Sequence, residues 1–393
     1  MNEVEVVEHP KSWVIIAFLK ALGIKAEIVK HPSPNRVTIV YAPHNPGERF
    51  FWIPETPDDF ISMMEKKIRC GADDDYLNCE LNRFWEMFSK WLTEKSIKIR
   101  RRPLYPDNKK FALILTHDVD ILKYWWLGTI GRSVELCKLR QYRKVANSWK
   151  HCMKDVITWR NPFNTFKKYM DIEEKYGARS TFFFIVNADG IRSFWQNRGG
   201  DYKIEGIKTI LQYIKDRGWE VGLHASYLSH IKKDTLCREK TILEEVLGDN
   251  VIGVRHHFLR LEIPLTWKLH AECGLRYDST YGCGSKLGWK CGFSFPFEPY
   301  SLKVLEIPLI IMDRTFSKYL RCEPSWNLIA PILDELHNAG GTGAILWHNN
   351  AVEGGGNIGY LELYEKILDW CHNNGGWLTS GEYFLRHWES LWQ

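Results

Sequence analysis

Beyond residue 110, short apolar runs alternate with segments of helical periodicity, and this alternation restricts the fold more than any other feature of the chain. The runs at 111–116, 179–186, 219–224, 251–258, 275–279, 304–310, 343–348 and 375–379 read as strands. Helical patterns at 164–176, 204–217, 264–273, 325–338 and 359–372 fit between them. Strands alternating with helices predict a parallel sheet under helices, here an α/β barrel of eight strands. Such barrels carry their active sites at the C-terminal ends of the strands.

The first run, Phe111-Ala112-Leu113-Ile114-Leu115, ends in Thr116-His117-Asp118-Val119-Asp120. Alternate side chains of a strand share a face, which places Asp118 and Asp120 on one side, about 7 Å apart by strand rise, and turns His117 away. Two carboxylates so placed suit a site where one holds a metal ion and the other takes a proton from the water bound to it. Asp pairs at strand ends also cap helices and bind loop backbone, so the pair alone does not decide the matter. Further polar groups end other runs. Trp219-Glu220-Val221-Gly222-Leu223 delivers His224, Val251-Ile252-Gly253-Val254 delivers Arg255, His256 and His257, and Gly343-Ala344-Ile345-Leu346-Trp347 delivers His348.

From about residue 105 to 393 these motifs resemble, in order and spacing, those of the polysaccharide deacetylases of carbohydrate esterase family 4. Thr116-His117-Asp118-Val119-Asp120 stands at the Asp motif and Ser180-Thr181-Phe182-Phe183-Phe184 at the second strand. Gly222-Leu223-His224-Ala225-Ser226 begins the His-Ser/Thr-x-x-His motif. Arg255 begins Arg-x-Pro-Tyr, Tyr277-Asp278-Ser279-Thr280 matches Tyr-Asp-Ser-Ser, and Leu346-Trp347-His348 matches Leu-x-His. The resemblance implies a distorted (β/α) barrel of seven strands, so one of the eight runs is in question. It also implies a divalent metal, zinc being expected, held by Asp120, His224 and a third ligand. Two departures bear on that ligand: Leu228 stands where the second metal histidine belongs, and His257 takes the Pro position of the Arg motif. His257 and His230 are the candidates, with His257 preferred because it sits on a strand end. Asp118 is the expected general base, aimed by Arg255, and His348 the general acid. Trp347, Tyr277 and Asp278 are expected to support substrate, while packing is the default for Phe293, Phe297 and Tyr300.

Residues 1–98 are expected to form a smaller α/β domain, with helix-like Ser12 to Leu22, strand-like Arg36 to Tyr41, an acidic loop Asp73-Asp74-Asp75, and a helix Leu81 to Leu92 whose Phe84, Trp85, Phe88 and Trp91 recur at helical spacing as core. No catalytic pattern appears there. A basic stretch with Pro103 and Pro106 reads as a linker over 99–110. Residues 121–163 form an insertion with nine Lys or Arg against Glu135 and Asp155, and with Trp125, Trp126, Trp149 and Trp159. A solvated helical cap, a lid over an anionic substrate and peripheral contact with an anionic membrane all suit that composition. The net charge of +5 is mild and calls for no nucleic acid. Ten cysteines without CxxC spacing suggest reduced, buried thiols, with Cys283 and Cys291 nearest the expected site. The N-terminus lacks a clean apolar core and no run of about 18 apolar residues occurs, so a cytoplasmic protein is expected.

The function expected is removal of an N-acetyl or O-acyl group from a carbohydrate or glycan precursor. Two alternatives stand beside it: a barrel that has lost catalysis and binds sugar, and a hydrolase of a non-sugar amide.

Overall fold

A computed structural model describes residues 3–71, 77–122, 165–186, 202–351 and 359–393, with isolated positions between 133 and 153. The acidic Asp73-Asp74-Asp75 and nearly all of the basic insertion at 121–163 lie outside the described residues.

Two parallel sheets organise the chain. The smaller holds β1 (Val4–Val7), β2 (Ala26–Val29), β3 (Val37–Ala42) and β4 (Phe51–Pro54) in the order β2-β1-β3-β4. Its helices are Ser12–Ala21, Phe60–Cys70 and Cys79–Glu94. Asp59 starts the second by accepting from the backbone N–H of Ile61 and Ser62, as a helix cap must. The aromatic stripe of the third is core: Phe84 and Phe88 are fully buried, and Phe84 meets Phe18 at 5.6 Å between ring centres. β1, β2 and β4 were not anticipated, because four-residue strands leave too short a pattern to read, and neither was the helix Phe60–Cys70.

This core is not closed by its own elements. Trp267, Tyr281, Cys291, Phe293, Phe295 and Phe297, all from the C-terminal part, enter the same cluster. Phe293 and Phe297 therefore pack, and Tyr300 lies against Trp13 at 5.0 Å. The basic stretch before residue 110 is tied down: Arg101 Nε donates to Leu22 O at 2.7 Å and the Arg102 amide to Gly23 O at 2.7 Å.

The larger sheet has nine strands: β5 (Phe111–Val119), β6 (Thr181–Ile185), β7 (Glu220–Ala225), β8 (Gly253–His256), β9 (Tyr277–Asp278), β10 (Leu305–Glu306), β11 (Leu309–Met312), β12 (Thr342–Leu346) and β13 (Gly376–Thr379). Each expected run contains a strand, but the one at 304–310 is broken at Ile307-Pro308, where proline has no N–H to give the ladder. Its first half pairs with β9 and its second with β12, so this bent segment closes the ring. The ring has seven staves. β13 is the supernumerary eighth: it pairs with residues 111–114 of β5, on the edge where residues 116–119 pair with β6.

Period-two alternation along β5 sorts its side chains. Phe111, Leu113 and Leu115 face the helical layer, whereas Ala112 and Ile114 face the barrel interior. Phe183 and Tyr277 fill the interior beside them. The Tyr277 ring fits only because Gly253 and Gly381 flank it; a Cβ at either would fall 2.2–2.3 Å from the ring. Below, the helix Gly381–Trp392 plugs the barrel with Phe384, Leu385 and Trp388.

One cysteine expectation is corrected. Cys237, on the helix Lys233–Leu247, and Cys273, just after the helix Leu265–Glu272, form a disulfide with Cα atoms 5.1 Å apart. The two are 36 residues apart in sequence, so spacing gave no sign of the pairing. No described helix is long and apolar enough to cross a membrane.

Candidate metal centre and active site

The interior-facing register of β5 continues through Thr116 and Asp118 to Asp120 at the rim, while His117 turns outward. Fully buried, His117 lies 2.8 Å from Glu173 Oε1 and 2.8 Å from Trp347 O. Glu173 also accepts from Trp219 Nε1 at 2.6 Å and the Tyr364 hydroxyl at 2.7 Å. This buried network ties the ends of β5 and β12 to the helix Phe166–Lys175.

On the inner side both carboxylates converge on His224. Its Nε2 lies 3.6 Å from Asp118 Oδ2 and 3.3 Å from Asp120 Oδ1. His224 Nδ1 lies 2.9 Å from Arg255 O, so that nitrogen carries the proton and Nε2 presents its lone pair to the carboxylates. Nε2 and Asp120 Oδ1 are both buried without a hydrogen-bond partner. His257 Nε2 stands 3.7 Å from Asp120 Oδ1. One donor atom from each of Asp120, His224 and His257 lies within 4.8 Å of the others. Two imidazoles and a carboxylate, with orphaned buried lone pairs facing one another, fit a divalent cation.

Burial alone would raise the Asp120 carboxyl, but His257, His224 and His348 around it hold it well below the usual range. Burial pushes the His257 imidazole down to about 3, against the pull of Asp120, so it is neutral and able to donate a lone pair. His230 stands apart: Arg260 Nε donates to its Nε2 at 3.3 Å, and it is not in the metal-ligand group. Leu228 precedes a short turn and has no ligating atom, and it is His257 that completes the candidate group with Asp120 and His224.

Arg255 is fully buried above Phe183, its guanidinium carbon 5.2 Å from that ring. Its Nη2 donates to Thr116 Oγ1 at 2.9 Å and Ser279 Oγ at 3.0 Å, and its Nε is 3.8 Å from Asp118 Oδ1. That last separation is an ion pair without a hydrogen bond.

Across the rim, His348 Nε2 is 3.7 Å from Asp120 Oδ2. Its Nδ1 lies 2.6 Å from Asp313 Oδ1, and its amide donates to Asp313 Oδ2 at 3.1 Å. Burial lowers the His348 pKa, yet Asp313 outweighs this and raises it; burial likewise raises Asp313, and His348 pulls it below its ordinary value. Asp313 was not anticipated. Its signal was present, an apolar run Leu309–Met312 ending in a carboxylate, but that strand was expected to stop at 310, which left Asp313 in a loop.

Three residues expected at the substrate lie elsewhere. Tyr277 is fully buried in the interior, its hydroxyl donating to Glu220 Oε1 at 2.6 Å. Asp278, also buried, accepts from the Thr280 amide at 2.8 Å, and its Oδ2 is 3.5 Å from His270 Nδ1. Trp347 alternates to the helical side and packs on Tyr364 at 5.6 Å. Register explains each: a side chain one position from a site-facing residue points to the other face, and one lower on a stave lies in the packed interior.

No protein-family model and no curated protein matches the chain. Solved structures do. A Mycobacterium smegmatis protein assigned to the polysaccharide deacetylases is 20% identical, with 73% of this chain and 92% of that one covered and a TM-score of 0.46. An allantoinase is 13% identical, covering 74% and 94% with a TM-score of 0.48. A Pseudomonas aeruginosa protein assigned to the polysaccharide deacetylases is 13% identical, covering 74% and 95% with a TM-score of 0.47. In the order of its motifs the chain resembles the polysaccharide deacetylases of carbohydrate esterase family 4.

Proposed function

We propose that the barrel is a metal-dependent hydrolase that removes an acyl group, N-acetyl above all, from a carbohydrate or sugar conjugate. The observation that carries this is the convergence of Asp118 and Asp120 on His224, with His348 and its partner Asp313 facing them across the rim. A base and an acid thus stand on opposite sides of one metal-ligand cluster.

A divalent ion held by Asp120, His224 and His257 would supply Lewis acidity toward the acyl carbonyl and lower the pKa of a bound water. Asp118 accepts the proton of the attacking water, with the buried Arg255 guanidinium as its counter-charge 3.8 Å away. As the carbon–nitrogen bond breaks, His348 delivers a proton from Nε2 to the leaving amine. Asp313 holds the opposite ring nitrogen, fixes the tautomer and balances the positive charge. The products are the free carboxylate and the sugar amine.

The test is acetate release from acetylated oligosaccharides, with ring opening of small cyclic amides run in parallel to separate a sugar amide from a non-sugar one. Asp118→Asn and His348→Ala retain the fold by circular dichroism and lose about 100-fold or more in turnover. Full activity in either variant refutes the assignment of roles.

A further inference from the structure

The wall of the site beside His257 carries positive charge that no carboxylate among the described residues neutralises. Phe258 follows the metal-ligand His257 with φ +60°, a left-handed conformation that a bulky side chain adopts only under constraint. The result is an aromatic ring 44% exposed at the mouth, stacked on His257 at 4.3 Å. On one side Lys318 Nζ sits 5.6 Å from the Phe258 ring and 5.0 Å from Tyr319, itself 43% exposed. Lys318 lies on a one-turn π-helix, Thr315–Leu320, directly after the strand end that carries Asp313, and a π-turn re-aims side chains at functional sites more often than elsewhere. On the other side Tyr227 meets Phe258 edge to face at 5.7 Å, and the Arg260 guanidinium lies 4.1 Å from the Tyr227 ring. Arg260 turns only Nε and Nη2 to the uncharged His230 Nε2, at 3.3 and 3.2 Å, and keeps its positive charge.

Among the described residues neither Lys318 nor Arg260 has a carboxylate within ion-pair distance: Lys318 lies over two aromatic rings and Arg260 against His230. The carboxylates nearest the reacting centre are committed inward, Asp118 and Asp120 to the metal cluster and Asp313 to His348. Two cations with no carboxylate partner among the described residues therefore flank an exposed aromatic ring next to the candidate metal site. The ring suits the apolar face of a sugar, and the cations suit a negative charge carried on or beside that sugar.

Resting on the hydrolase reading above, we infer that the substrate is an anionic acylated sugar, recognised by Lys318 and Arg260 across the Phe258 ring. The charge is a carboxylate on the ring, as in a hexuronate, or a phosphate on the anomeric oxygen, as in a glycosyl phosphate. A neutral acetylated oligosaccharide is then a poor ligand.

Binding tests this without any turnover, so its outcome is separate from that of the deacetylase reading. Calorimetry on the full chain compares N-acetylglucosamine, N-acetylglucosamine 1-phosphate and the N-acetylated hexuronate. The expected result is at least tenfold tighter binding of one anionic probe than of the neutral sugar, and which of the two wins identifies the source of the charge. Lys318→Gln and Arg260→Gln each weaken the preferred probe about tenfold or more, by loss of a charge-assisted hydrogen bond. Each reduces the anionic-to-neutral affinity ratio, and Lys318→Arg restores it. Equal affinity for neutral and anionic probes overturns the inference, as does an affinity ratio unmoved in both glutamine variants. Absence of acetate release from every substrate, with anion-selective binding intact, refutes the hydrolase reading and leaves the anionic ligand standing.

Discussion

Replacing Asp313 with asparagine isolates what a single buried charge does for His348. Asparagine keeps the shape and an oxygen able to accept from Nδ1, so the imidazole stays in place while the negative charge is lost. The charge removed stands 2.6 Å from Nδ1, between two side chains that are 9% and 1% exposed. A hydrogen bond to a charged group contributes about 1.5–3 kcal/mol, equivalent to a factor of about 10–150 in an equilibrium constant. The protonated form of His348 is disfavoured by that factor. Turnover in neutral solution should fall by the same range, and the alkaline limb of the pH–rate profile should move to lower pH. Stability follows the same pair. His348 is held above its ordinary value, so its share is present in acid and is lost as pH rises through the raised value. Asp313 is held below its ordinary value, so its share is lost as pH falls through the lowered one. The stability difference between wild type and Asp313→Asn should therefore be largest in mildly acidic solution and shrink on either side. Urea unfolding across pH, with acetate release over the same range, measures both. An unchanged alkaline limb together with a stability difference independent of pH would refute the claim that Asp313 acts through the charge of His348.

Three further outcomes are expected. Adding zinc to the chelator-treated chain at 100-fold excess over its dissociation constant stabilises the fold by about 2.7 kcal/mol; Asp120→Ala and His257→Ala lose that increment in thermal unfolding, whereas His230→Ala keeps it, and the reverse pattern for the two histidines would overturn the ligand set. Glu173→Ala orphans three buried donors, on His117, Trp219 and Tyr364, and should cost about 3–5 kcal/mol in urea unfolding; a loss below about 1 kcal/mol would mean the network contributes little. Gly253→Ala drives a methyl group into the Tyr277 ring and should destabilise by about 1–3 kcal/mol, with Tyr277→Leu in the same chain recovering part of the loss.

The alternation of apolar runs with helical patterns was enough for the barrel, and the polar residues ending those runs were enough to bring most of the candidate site to one rim. Both signals are local: an extended strand fixes which side chains share a face, and parallel strands bring their C-terminal ends to one rim. Asp118, Asp120, His224, Arg255, His257 and His348 were legible for that reason, and so was the outward turn of His117. What depended on distant partners was not. Pro308 marks a break within the 304–310 run, but that its two halves pair with separate neighbours, β9 and β12, and so close seven staves into a ring is set by distant strands. Asp313 gained its role by landing beside a histidine 35 residues away. Tyr277 left the substrate for the interior because two glycines from other elements opened a space for its ring. The Cys237–Cys273 bond joins helices that no pattern in the chain marks as neighbours. Along one element, backbone geometry makes side-chain direction readable from sequence. Between elements, proximity is set by how all of them pack at once, and only the tertiary structure decided it.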